Sequence, residues 1–80
     1  MFSKSDIESL KRELEQLVGK NIIFRYNYNK SKEKQFEGII EAVSNNVLVV
    51  RKSINENIGL IESYTFVDLL SGDMEIIDMK

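Results

Sequence analysis

Acid–base and metal chemistry in this chain would fall to carboxylates and lysines, because histidine and cysteine are both absent. Their absence removes the commonest general base, the imidazole metal ligand, thiolate zinc sites and disulfides together. Glu37 and Glu41 share one face of a predicted strand but stand four residues apart, roughly 13 Å at about 3.3 Å per residue. Carboxylates that cooperate in glycoside hydrolysis lie about 5–9.5 Å apart, so this pair is read as solvated. Asp73 and Glu75 would be nearer, at about 7 Å, yet they fall on a short strand in an acidic region with no apolar pocket to raise one pKa. Neither a glycine-rich phosphate loop nor an acidic calcium loop is present. The chain is therefore read as non-enzymatic, without cofactor or metal.

The remaining chemistry is recognition. Arg25, Lys30, Lys32 and Lys34 are interleaved with Tyr26, Tyr28 and Phe36. Cations neutralise phosphates and aromatic faces stack on bases, which is the pairing that nucleic-acid surfaces use. Tyr26 and Phe36 fall on the core side of their strands, so the contact set is Arg25, Tyr28, Lys30, Lys32 and Lys34. It can serve a protein partner or, as the second reading, a nucleic acid. Charge is uneven: residues 1–19 carry −1, 20–34 carry +4, 35–53 balance, and 54–80 carry −5, for a net −2. A strongly basic domain built for generic nucleic-acid binding does not usually show such a division. Oppositely charged segments instead suit steering of a protein partner or of a second copy of the chain, which leaves a homodimer open.

The elements that must position these residues follow from periodicity. Ser5-Asp6-Ile7-Glu8 fits a capping box. Ile7, Leu10, Leu14, Leu17 and Val18 then recur at helical spacing, and Gly19 supplies the left-handed stop, predicting a helix over about 5–18. Alternation takes over afterwards, with Ile22, Phe24, Tyr26 and Tyr28 on one side of a first strand. Residues 29–34 read as a polar loop. Residues 35–43 form a second strand with Phe36, Gly38, Ile40 and Ala42 on one face. Asn45-Asn46 suits a tight hairpin whose residues tolerate positive φ, leading to a third strand over 47–52. A loop over 53–59 and a fourth strand over 60–66 follow. On that strand Leu60, Tyr64 and Phe66 share a side with Glu62, a conflict the sequence leaves open. Residues 67–72 make one helical turn closed by Gly72, in which Asp68 is read as satisfying backbone N–H groups. A last strand spans 74–78.

One domain of 80 residues buries a small core, roughly 60–65% of its unfolded surface. Gly38 inside an apolar strand marks a sharp bend or a close backbone approach. Five short, mostly antiparallel strands on so few residues predict a mainly β fold: a small Sm-like or SH3-like barrel over about 20–78, with the N-terminal helix sealing one end. The runner-up is an oligonucleotide-binding barrel, which more often carries its helix between the third and fourth strands. No window approaches the ~20 apolar residues of a membrane span, so a cytoplasmic location without membrane contact is expected.

Several motifs resemble one family. Ser5-Asp6-Ile7 with Leu10, Gly19-Lys20, Glu37-Gly38-Ile39 with Glu41, and above all Ser63-Tyr64-Thr65-Phe66-Val67-Asp68-Leu69-Leu70 are similar to the Veg proteins of low-GC Gram-positive bacteria. These are small cytoplasmic proteins described as stimulators of biofilm formation. The resemblance makes Gly19, Gly38, Tyr64, Phe66, Asp68 and Leu69 the structural motif. Core packing accounts for Tyr64, Phe66 and Leu69. It also implies a helix plus a Sm-like or SH3-like barrel, and a role in gene expression by antagonising a transcriptional repressor, hence a transcriptional regulator as partner. Two departures stand out. Residues 11–18 run longer than their counterpart, and residues 27–34 are rich in lysine and asparagine where relatives carry arginine and glycine. Lysine is a point charge without the bidentate fork of arginine, which weakens any phosphate or carboxylate recognition there.

Overall fold

The computed structural model describes residues 2–29, 32–53 and 58–79; the side chains of residues 28, 29, 32 and 33 lie outside the described set. The element order is α1 (Lys4–Glu15), β1 (Asn21–Asn29), β2 (Lys32–Val43), β3 (Val47–Ser53), β4 (Gly59–Thr65), α2 (Phe66–Leu70) and β5 (Met74–Met79). The five strands form one antiparallel sheet in the order β4-β3-β2-β1-β5. The mainly β fold with one N-terminal helix is thus as the alternation predicts. The sheet, however, does not close: β4 and β5 are its two edges, and the link between them folds as α2, which packs against both. Phe66 at the head of that helix is 2% exposed and joins the core.

One core joins every element but β4: Leu14 of α1, Ile22 and Phe24 of β1, Ile40 of β2, Leu48 and Val50 of β3, Phe66 of α2 and Met74 of β5 are all buried. Tyr64 brings β4 to the rim of that cluster. Gly38 shows why its strand needs no side chain there. A Cβ at Gly38 would stand 2.4 Å from Val50 Cγ1 and 3.3 Å from the Arg51 carbonyl oxygen. Any side chain at this position would force the buried Val50 or its strand to shift.

Local differences from the sequence expectation have identifiable causes. Two serine frames compete for the helix start, and the earlier wins: Ser3 Oγ accepts from Asp6 N–H while the Asp6 carboxylate accepts from Ser3 N–H, each at 3.1 Å. The helix also ends at Glu15, not 18, and unwinds through residues 16–19 into Gly19 at φ +85°. There Gly19 N–H donates to the Ile40 carbonyl at 2.8 Å, which ties the helix exit to β2. The expected loop over 29–34 is mostly strand, since Asn27 pairs with Glu33 and Asn29 with Lys32. A bulge at Glu41 re-phases β2: Ile40 faces Val50, but Ala42 faces Val49 and Val43 faces Leu48. Ala42 is consequently exposed, and Val43 packs on the core in its place. Neither Asn45 nor Asn46 takes positive φ; Ser44 N–H donating to the Val47 carbonyl at 2.9 Å closes that turn without it. Finally, Phe66 belongs to α2 and not to β4, because Thr65 caps the helix.

Candidate functional site

The contact set read from the sequence splits across the sheet. Arg25 stands opposite Gln35 on β2 and Glu75 on β5, and it forms an ion pair with the Glu75 carboxylate. Its Nε is buried without a hydrogen-bond partner, so this guanidinium is committed to the β1–β5 seam. Lys34 is exposed and sits opposite Tyr26, one position along and therefore on the other face. Lys30 lies outside the described residues, as do the side chains of Tyr28 and Lys32. The structure thus places Arg25 and Lys34 on opposite faces rather than in one patch.

On the Lys34 face the strands build something the sequence reading passed over. Phe36 stacks on Phe24 with ring centroids 5.1 Å apart, and Tyr64 stacks on Phe36 at 5.7 Å. Tyr26 tilts against Tyr64 at 5.7 Å. The Lys52 ammonium lies 3.8 Å from the Phe36 centroid and 5.4 Å from that of Tyr64, a cation held over aromatic faces. The same Nζ donates to Glu62 Oε1 at 2.7 Å, and the Tyr64 hydroxyl donates to Glu62 Oε2 at 3.2 Å. Lys52 and Glu62 are diagonal neighbours on β3 and β4, because Val50 faces Glu62 and Lys52 faces Leu60. This resolves the awkward Glu62: it turns inward to meet an equally inward lysine. Together with Lys34, these groups line an open cleft of about 420 Å³.

The electrostatics follow from the packing. Burial opposes the charge on Lys52, but its bonds to Glu62 and Tyr64 outweigh that and hold its pKa above the ordinary lysine value. The Lys52 hydrogen bond holds the Glu62 carboxyl below its ordinary value against burial. Burial raises the Tyr64 hydroxyl, and burial with the nearby charges of Asp68 and Asp73 raises that of Tyr26. Both phenols therefore stay protonated donors at neutral pH. A hint of this cluster was present in the sequence: on β3 the run Leu48, Val50, Lys52 and on β4 the run Leu60, Glu62, Tyr64 each carry one charge on the apolar side.

The motif residues have structural positions. Gly19 and Gly72 take φ of +85° and +86°, Gly38 meets β3, and Leu69 packs on the core. Tyr64 is only half-buried, with its hydroxyl in the cleft. The hydroxyl that accepts a backbone N–H of the short helix is Thr65 Oγ1, from Asp68 N–H at 3.4 Å, and not the Asp68 carboxylate as expected. The paired acids are dispersed: Glu37 accepts from Asn21 Nδ2 at 2.8 Å, Glu41 pairs with Arg51, and Glu75 with Arg25. Among the described residues no group of three or more acidic or other metal-ligating side chains is assembled. No helix among them is long and apolar enough to cross a membrane.

No curated protein matches this chain. The family model for the biofilm formation stimulator Veg matches residues 5–77, a span that runs from the first turn of α1 into β5. It includes both positive-φ glycines, Gly38 and the whole inward face that carries Lys52 and Glu62. The chain belongs to the Veg family of biofilm formation stimulators.

Proposed function

We propose that this chain is a non-catalytic cytoplasmic regulator that stimulates biofilm gene expression by binding a transcriptional repressor and relieving its action. The family match over residues 5–77 carries the reading, since the family is described by a regulatory outcome and not by a reaction. The contact surface is the β1–β2 hairpin, where the basic segment 20–34 holds a net +4 and Lys34 stands exposed. Exposed lysines of this kind steer an acidic partner surface and set the rate of encounter.

The test is replacement of Lys30, Lys32 and Lys34 together by glutamate in the native gene. The expected result is a biofilm-matrix reporter that falls to the level of a gene deletion, while protein level and melting temperature stay unchanged. Full reporter output from the folded triple variant would refute the hairpin as the contact.

A further inference from the structure

The inner-face cleft has the make-up of a ligand site that shares Lys34 with the proposed repressor contact, but its occupancy is read on the isolated chain without that partner. Its walls are the half-buried rings of Tyr26, Phe36 and Tyr64. Its polar groups are two ammoniums, two phenol hydroxyls and one carboxylate, that of Glu62. Glu62 is taken up by Lys52 and Tyr64, and Lys34, which makes no hydrogen bond or ion pair with the described residues, lies near enough to help hold that carboxyl below its ordinary value. What a ligand can still meet is the part of the ring wall that Lys52 does not cover, the donor hydroxyls and the exposed Lys34 ammonium. The cleft's volume, about 420 Å³, falls at the lower end of the ~300–1,000 Å³ that hold small ligands.

We propose that the cleft bounded by Tyr26, Lys34, Phe36, Lys52 and Tyr64 binds a single nucleotide, its base against the aromatic wall and its phosphate toward Lys34. A planar base gains from stacking on phenyl and phenol faces whatever its identity, and a phosphate matches the exposed Lys34 ammonium. An acidic peptide would satisfy Lys34 but leave the ring faces without a planar partner. The nucleotide can come free or as one unit of a single strand.

The experiment uses the full chain with two probes, adenosine monophosphate and fluorescein-labelled hexaadenylate, at about 50 mM salt. Binding is read by anisotropy and by the ring proton resonances of Tyr26 and Tyr64. The expected result is saturable binding of at least one probe with shifts confined to those rings. Binding of the monophosphate alone assigns the free nucleotide, and binding of the hexamer alone assigns the strand. Lys34→Glu should weaken binding about tenfold and make the salt dependence shallower by about one ion. Lys20→Glu, at the opposite end of β1, should change it less than about twofold. Phe36→Leu, which keeps an apolar side chain but removes a ring face, should weaken binding wherever the variant's melt shows it folded. The proposal is overturned if neither probe binds, if Lys34→Glu leaves affinity intact, or if a glutamate-rich peptide shifts the same rings while both nucleotide probes do not.

Discussion

Lys52 and Glu62 are 20% and 37% exposed, and their behaviour with pH is fixed by the direction of their shifts. Glu62 is held below its ordinary value of 4.5; its stabilisation is complete above that value and is lost as pH falls through the lower folded pKa. Lys52 is held above 10.5; its stabilisation is complete below that value and is lost as pH rises through the higher folded pKa. Glu62→Gln should cost about 1 kcal/mol at neutral pH, allowing for solvent screening at a partly exposed carboxylate. The difference in melting temperature between wild type and variant should stay flat through neutral pH and shrink below pH 4.5; a difference that persisted unchanged in acid would contradict the ion pair. Gly38→Ala makes the second residue-scale test. Val50 is fully buried and cannot withdraw from a Cβ at 2.4 Å, so the substitution should destabilise by about 1–3 kcal/mol in denaturant melts. Adding Val50→Ala removes the clashing methyl, so the double variant should lose less than the sum of the singles. Gly38 was legible from the sequence as a place of close approach, and β3 makes that approach chiefly through the Val50 side chain, with the Arg51 carbonyl oxygen next at 3.3 Å. The Lys52–Glu62 pair was not, because its meaning depends on a register that sets two strands diagonally side by side.

The elements were legible where a single periodicity ran uninterrupted, and their ends were not. Ile22, Phe24 and Ile40 show their inward side by alternation alone, and all three are fully buried. Ala42 breaks that rule because the bulge at Glu41 adds a residue to one strand only, a property of the pair and not of either sequence. The helix start was ambiguous since Ser3 and Ser5 both precede an acid by three residues, and only the hydrogen bonds of Ser3 with Asp6 identify the cap that forms. Both helices rest on side-chain caps, which predicts that Ser3→Ala and Thr65→Ala each cost about 1 kcal/mol. Thr65→Ala should also loosen Phe66, which is buried in the core at the start of α2. Amide hydrogen exchange should accordingly rise across α2 and the start of β5 in that variant. Protection equal to wild type there would show that the cap is dispensable.

At the scale of the whole molecule, segment charges mislead if taken as poles. The basic segment 20–34 and the acidic segment 54–80 are not at opposite ends, because β1 pairs directly with β5 and Arg25 meets Glu75 across that seam. Of the described cations in that basic segment, Lys34 stands exposed on one face, while Arg25 is compensated by Glu75 on the other. The exposed lysine, in a member of a family of biofilm formation stimulators, underlies the proposal of a regulator that works by contact. The most direct test is affinity capture of the tagged chain from a lysate of its native cells after nuclease digestion, with retained proteins quantified by mass spectrometry. The account predicts a DNA-binding transcriptional regulator retained in stoichiometric amount whether or not nuclease is present. Loss of that regulator on nuclease treatment, or its absence under both conditions, would contradict it.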